Sequence, residues 1–203
     1  YVFLLSDEDF VNLSELPFLI SFLSGKEEFS AVRGSIKPLK SGQTNAVQYP
    51  YAKYEAGIEG LTNTAFNFNY ISGSIFNRKI IVDKGIYIPL YQNLELQKSY
   101  PHFYLLALLA LYGSVVTLPE YLIIEGEEEA GIENALFEFK NSIYSYEARL
   151  EQHNAMGLIV SEVCKKWTEQ ASLYLNLCVK TMFLIVKVNG PFYRAQGRDV
   201  EVL

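Results

Sequence analysis

The side chains that most often do acid-base or metal chemistry are scarce in this chain. It has two histidines, His102 and His153, and two cysteines, Cys164 and Cys178, among 203 residues. Histidine is the commonest acid-base group because its unperturbed pKa is about 6.5, yet neither histidine has a cysteine or a carboxylate at a motif spacing. A structural zinc site needs four clustered nitrogen or sulfur ligands, and this spacing does not supply them. We therefore expect no metal centre and no cofactor.

Motifs for nucleophilic catalysis and for phosphate binding are missing as well. The segment Ser72-Gly73-Ser74 lacks the flanking glycines of a nucleophile elbow. The segment Gly57-Ile58-Glu59-Gly60 has neither the third glycine of a dinucleotide fingerprint nor the lysine of a phosphate loop. The acidic run over residues 125–129 lacks the alternating ligands of a calcium loop and is typical of residues that precede a helix. The sequence therefore predicts no catalytic residue.

Positive charge is concentrated in the middle of the chain, together with tyrosine. The net charge of the whole chain is −6. Residues 29–98 carry eight basic and four acidic side chains, a net charge of +4, so the remainder carries −10. Basic side chains follow phosphates, and aromatic rings stack on unpaired bases with about 1–3 kcal/mol per base. The pattern predicts a nucleic-acid surface formed by Arg33, Lys37, Lys40, Tyr49, Tyr51, Lys53, Arg78 and Lys79.

These features favour a non-enzymatic subunit of a larger cytoplasmic assembly. Its candidate partners are single-stranded nucleic acid and a protein, which is either another subunit or a second copy of the chain. Two cysteines without a disulfide framework favour a reducing compartment. An ordinary sheet with packed tyrosines and solvated lysines explains the same composition without any ligand. The aromatic and apolar composition is similar to that of ribonucleoprotein effector subunits, including those of CRISPR interference complexes, although no family motif matches.

Two other classes of function stay open. An enzyme would assemble its site from dispersed carboxylates and tyrosines such as Glu55, Glu59, Tyr70 and Asp83, since paired carboxylates at suitable separations do acid-base work. A structural or viral protein would instead form homo-oligomers through its helices. The uncharged apolar stretch over residues 103–116 is shorter than the ~20 residues of a bilayer span. We therefore expect a core helix there and no membrane contact.

The elements that must position these residues follow from the hydrophobic pattern. It predicts one α+β domain over residues 1–203, with a short N-terminal helix, a central, mostly antiparallel sheet with a hairpin, and long C-terminal helices packed on the sheet. Residues 1–125 form the sheet-rich part, residues 126–190 the helical part and residues 191–203 a tail. Chain length fits a single domain of this kind.

Several local signals set the expected boundaries. Helical spacing predicts one or two short helices over residues 7–23, and Gly113 is expected to end the helix over residues 103–112. Residues 115–124 read as extended, with an interruption at Pro119. The runs 80–82 and 86–88 flank Asp83-Lys84-Gly85, which has the composition of a three-residue hairpin connection. Phe66, Phe68 and Tyr70 are expected on one face of a strand.

Overall fold

The computed structural model describes residues 1–39, 46–64, 70–93 and 101–126, together with 157–159, 161–163 and 165. The strands in these residues are β1 (Val2–Leu4), β2 (Phe10–Val11), β3 (Phe29–Pro38), β4 (Ala52–Tyr54), β5 (Ser74–Phe76) and β6 (Ser114–Glu125). The helices are α1 (Leu16–Leu23), which follows a short 3₁₀ helix (Leu13–Glu15), α2 (Ile58–Thr64), α3 (Arg78–Asp83), α4 (Tyr87–Gln92) and α5 (Pro101–Tyr112). Residues 157–159 and 161–163 are also helical.

The six strands of the described residues form one mixed sheet that curls into a half-barrel. The strand order is β1-β5-β3-β6-β2, and β4 also pairs with β6. The two longest strands, β3 and β6, run parallel, whereas the other pairings are antiparallel. The register shifts where Gly34 and Ser35 face Leu118 and Tyr121, so β6 bulges outward at the two residues between them.

Two apolar clusters cover the two faces of the sheet. Ala31 and Val115 belong to the cluster that contains α5, whereas Val32 and Val116 belong to the cluster that contains Leu19 of α1. Successive side chains of a strand point to opposite faces. Helices α5 and α1 therefore lie on opposite faces, and the central strands are buried on both.

Helix α5 forms from the most apolar stretch of the chain, as predicted. Its side chains are buried nearly all round, which is expected for a helix without a polar face. It ends at Gly113, where an added Cβ would meet the carbonyl oxygen of Glu28 at 2.7 Å. None of the helices in the described part of the chain has the length and apolar character needed to cross a bilayer.

The predicted fold class is wrong in the arrangement of the sheet. An α+β fold with a mostly antiparallel sheet was expected, but the sheet is mixed because its longest pair is parallel. Residues 80–82, one expected arm of the hairpin, lie in α3; in the other expected arm, residues 86–88, Ile86 is the N-cap of α4 and the next two residues begin that helix. The long C-terminal helices are not shown: of residues 126–190 the structure describes only Gly126 and the few helical residues named above. The tail over residues 191–203 also lies outside the described residues.

The hairpin prediction failed because burial on α5 favours helices there. The Oδ1 atom of Asn77 accepts a hydrogen bond from the backbone N–H of Ile80 at 3.2 Å, which caps α3. Ile80 and Ile81 pack against the cluster that contains α5. Gly85, with a φ of 61°, turns the chain toward α4. A positive-φ glycine was predicted at this position, but it connects two helices.

Other predicted elements are confirmed. Helix α1 lies within the expected residues 7–23, with Pro17 in its first turn, and residues 115–124 form most of β6. The bulge of β6 falls beside Pro119, as expected. Part of the first helical region is instead extended, because residues 10–11 form β2. The predicted strand residues Phe66 and Phe68 lie outside the described residues.

Candidate functional site

Residues 46–51, which we call the strap, cross one face of the sheet from β3 to β6. At one end, Ile36 and Val47 exchange backbone hydrogen bonds of 2.8 and 3.0 Å. At the other end, the Oγ1 atom of Thr117 on β6 donates to the carbonyl oxygen of Pro50 at 2.7 Å. The chain then continues directly into β4, which pairs with β6. The strap is therefore anchored to both central strands.

Ser35 of β3 holds the middle of the strap against the sheet. Its hydroxyl accepts a hydrogen bond from the backbone N–H of Tyr49 at 2.8 Å and donates to the carbonyl oxygen of Leu118 at 2.8 Å. Ser35 is buried, and its side chain shares a face of β3 with that of Arg33 because the two are two residues apart. The backbone of Tyr49 is thus fixed above the face that carries Arg33.

Arg33 lies beneath the strap and is only 2 % exposed. Its Nη1 atom donates to the Oγ atom of Ser74 at 2.7 Å. Its guanidinium carbon is 5.9 Å from the centroid of the Tyr49 ring, within the range of a cation–π contact, and it also forms a hydrogen bond with Tyr49. Burial lowers the pKa of Arg33, and Tyr49 and Tyr70 oppose that shift in part. The protein therefore stabilises this cation less than water does.

Acidic groups lie at the carboxyl end of β6. The Oδ1 atom of Asp9 accepts a hydrogen bond from the backbone N–H of Gly126 at 2.9 Å, and both Asp9 and Glu125 are buried. The pKa of Tyr70 is raised, first by burial and then by a hydrogen bond with Asp9 and by the nearby charges of Asp9, Glu125 and Glu8. Tyr70 therefore stays a neutral hydrogen-bonding group at neutral pH.

Exposed polar and aromatic side chains line the strap and the strands at its two ends. Lys37 is exposed on β3, one residue beyond Ile36. Tyr51, at the other end, is 59 % exposed, and Lys53 follows it on β4. The Nζ atom of Lys53 is 3.0 Å from the Oε1 atom of Glu55. Their hydrogen bond raises the pKa of Lys53 and lowers the pKa of Glu55.

The structure places five of the eight residues that were predicted to bind nucleic acid on the strap or on the strands at its two ends. These are Arg33, Lys37, Tyr49, Tyr51 and Lys53. Burial under the strap was not expected for Arg33, because arginine is almost never fully buried without partners. The alternation of β3, which places Arg33 between apolar neighbours, was the sequence signal for it. No sequence pattern indicated that Ser35, Ser74 and Thr117 would hold Arg33 and the strap in place.

The other predicted basic residues lie elsewhere. Arg78 and Lys79 are exposed on α3, and the Nζ atom of Lys79 is 3.2 Å from the Oε2 atom of Glu27. The capping residue Asn77 bonds to the carbonyl oxygen of Phe29, at the start of β3. Lys37 lies eight residues further along this strand, about 26 Å away at ~3.3 Å per residue. Arg78 and Lys79 are therefore far from Lys37 and lie outside the strap, and Lys40 lies outside the described residues.

The residues suggested for an enzyme are dispersed. Glu55 and Glu59 are exposed near β4 and α2, whereas Asp83 is at the end of α3 and Tyr70 is beside Asp9. His102 is buried on α5, with its ring centroid 4.6 Å from that of Phe103. His153, Cys164 and Cys178 fall outside the described residues. Among those that are described, no group of three or more His, Cys, Asp or Glu side chains is arranged to hold a metal ion.

Comparisons with known proteins give no family for the chain. No family model, no curated protein and no solved structure matches it. Its function therefore has to be inferred from the residues of the site.

Proposed function

We propose that this chain is a non-enzymatic subunit of a larger cytoplasmic assembly and that its strap surface contacts single-stranded nucleic acid. The strap surface consists of Lys37, Tyr49, Tyr51 and Lys53, with Arg33 beneath it. The observation that carries this proposal is the exposed ring of Tyr51 at 59 %, on an anchored segment with a lysine near each end. A base stacks on such a ring and the lysines attract its phosphates.

The anchoring of the strap supports this role. Four hydrogen bonds hold residues 47–50 to the two central strands, so the strap backbone is already ordered before a ligand arrives. A preorganised surface loses less conformational entropy on binding. The contact of Arg33 with Tyr49 adds to this order from below.

Lys53 is available to a phosphate although it is ion-paired. Its partner Glu55 is exposed on the surface, and an exposed ion pair of this kind contributes little to stability. Exchange of Glu55 for a phosphate therefore costs little. The net charge of −6 opposes binding to bulk nucleic acid, which favours a local contact with a single strand.

Fluorescence anisotropy of a labelled oligo-dT or oligo-U strand tests the proposal, with titrations at about 50 and about 200 mM salt. The double variant Lys37→Gln/Lys53→Gln should lower affinity and reduce the slope of log K against log salt by about 1.4, since each phosphate contact on a single strand contributes ~0.7. Tyr51→Ser should weaken binding roughly 5- to 150-fold, the equivalent of ~1–3 kcal/mol per stacked base, and leave the slope unchanged.

The matched control is Arg78→Gln/Lys79→Gln. It removes the same two positive charges from α3, which lies outside the strap and the strands at its ends, so its affinity should stay close to that of the unmodified chain at concentrations where the chain is monomeric. Equal losses of affinity in the two double variants would show that binding depends only on the net charge of the chain. Absence of binding at the lower salt concentration would rule out the nucleic-acid contact.

A further inference from the structure

An acidic, apolar surface lies at the N-terminus of the chain. Leu13 and Ile20 are 73 % and 65 % exposed, and the exposed Pro17 lies between them. These three residues are spaced i, i+4, i+7 along the continuous 3₁₀ and α1 helices, so they form one stripe. Residues 1–25 contain four acidic side chains and no lysine or arginine. We call this stripe, with the exposed Asp7 and Glu8 of the preceding turn, the N-terminal surface.

A basic, apolar surface is formed by α3 and α4. The ring of Tyr91 is 84 % exposed, and Val82, Tyr87 and Ile88 are exposed as well. Three basic side chains and one acidic side chain belong to residues 78–93, which gives this segment a net charge of +2; Glu27, which pairs with Lys79, lowers the net charge of the surface to +1. The basic residues Arg78, Lys79 and Lys84 are exposed. We call this region the α3–α4 surface.

The two surfaces lie on opposite faces of the sheet. Helix α1 packs on the cluster that contains Val32, whereas Ile80 of α3 and Leu90 of α4 pack on the cluster that contains α5. The two surfaces therefore face away from each other on opposite sides of the sheet, although the start of α3 contacts the segment after α1 through the ion pair of Lys79 with Glu27.

We propose that the N-terminal surface of one copy of this chain docks on the α3–α4 surface of another. Both surfaces present exposed apolar side chains on short helices, and their charges are opposite in sign. Opposite potentials favour the correct encounter and its register, and aromatic rings such as Tyr87 and Tyr91 are enriched in protein interfaces. This inference deepens the assembly part of the proposed function, on which it rests, and does not involve the strap.

A contact between two different surfaces is heterologous. A pair keeps one unused surface of each kind, one on each copy, so further copies add in the same direction. The product is a ring if the rotation between copies closes and a filament if it does not. A symmetric dimer, in contrast, would leave no such ends.

Sedimentation velocity on the full 203-residue chain without nucleic acid tests the inference. At about 0.05 M salt the mass should rise with protein concentration, and near 1 M salt, where the screening length falls to ~3 Å, association should weaken. Reversal of either surface, by Asp7→Lys/Glu8→Lys or by Arg78→Glu/Lys79→Glu, should raise the concentration needed for association about tenfold or more, since attraction becomes repulsion.

The decisive test is whether reversal of both surfaces together restores association. A chain that carries all four reversals presents a basic N-terminal surface and an acidic α3–α4 surface, so it should associate again. An equimolar mixture of the two double variants should also associate. Glutamates in the first turn of α3 are favourable to the helix dipole, so this variant should fold, and circular dichroism checks both. Tyr91→Ser, which changes no charge, should weaken association at every salt concentration.

Three results would overturn the inference. They are a monomer at every concentration in low salt, association that is indifferent to the reversals, and failure of the fourfold variant to associate while it remains folded. A monomer that still binds oligo-dT would separate this failure from that of the strap proposal.

Discussion

Ser74→Ala is the most direct probe of the buried Arg33. The Oγ atom of Ser74 accepts from Nη1 of Arg33 at 2.7 Å, and both residues are buried. The substitution removes an acceptor while the guanidinium stays in place. Hydrogen bonds to charged groups contribute about 1.5–3 kcal/mol, and the buried donor is not rehydrated. We expect the free energy of unfolding to fall by that amount, a decrease of about 3–12 °C in Tm for a chain of this length.

A double-mutant cycle tests whether this loss of unfolding free energy depends on the positive charge of Arg33. Arg33→Met removes the charge and keeps an unbranched side chain in its place. In that background, Ser74→Ala should cost less than about 0.5 kcal/mol, so the coupling energy of the pair should be about 1–2.5 kcal/mol. Urea unfolding followed by circular dichroism measures all four proteins.

Ser30→Ala is the matched control for the cycle. Ser30 is also a buried serine of the sheet, but its hydroxyl donates to the backbone carbonyl oxygen of Gly113 at 2.8 Å. Its loss should cost about 0.5–1.5 kcal/mol, as for a neutral hydrogen bond, with no coupling to Arg33→Met. Additive effects of Ser74→Ala and Arg33→Met would refute the assignment of Ser74 as a partner of the cation.

The remaining predictions concern packing and pH. A Cβ at Gly34 would lie 2.5 Å from the Cγ of Leu122 and would also overlap its Cδ1, so Gly34→Ala should cost about 1–3 kcal/mol in urea unfolding, and less when Leu122→Ala removes both atoms. The hydroxyl of Tyr104 is buried without a hydrogen-bond partner among the described residues, so Tyr104→Phe should leave stability unchanged or raise it by about 1 kcal/mol. Burial raises the pKa of Tyr104 and of Tyr70. Their neutral forms therefore stabilise the fold fully below pH ~10 and less as pH rises further, and alkaline unfolding should be less steep in Tyr104→Phe.

Local patterns predicted the elements in which sequence periodicity and tertiary burial agree. Helical spacing predicted a helix within residues 7–23, and an uncharged apolar run ended by Gly113 predicted α5. Strand β6 was predicted from an extended run whose interruption at Pro119 became a bulge. In each case the periodicity of the residues and the burial they require favour the same structure.

Helices α3 and α4 show where local patterns fail. Their β-branched and aromatic residues favour strands, yet α5 offers a surface onto which Ile80 and Ile81 pack from a helix. Tertiary burial decided the outcome, because propensities differ by only about 1 kcal/mol or less per residue. The cap by Asn77 was the one local signal for a helix there.

The parallel pairing of β3 with β6 could not be predicted from either strand alone. Residues 39–113 separate the two strands, and nothing in their composition states the direction of pairing. A strand buried on both faces reads as a continuous apolar run, but Arg33, Ser35 and Ser30 interrupt that run in β3. These same polar residues are the ones that bond to the neighbouring chain segments.

Because Arg33 is buried, the net charge of +4 over residues 29–98 overstates the positive charge that the strap surface offers to a ligand. A guanidinium that is 2 % exposed releases no phosphate counterions, so the strap surface offers only Lys37 and Lys53 to a single strand. Two cations set the salt slope of that surface at about 1.4. A steeper slope in the unmodified chain would require cations beyond the strap, and the Lys37→Gln/Lys53→Gln variant would then keep part of it. The role left for Arg33 is to hold Tyr49 in place, which its hydrogen bonds and ring contact can do only while it stays buried.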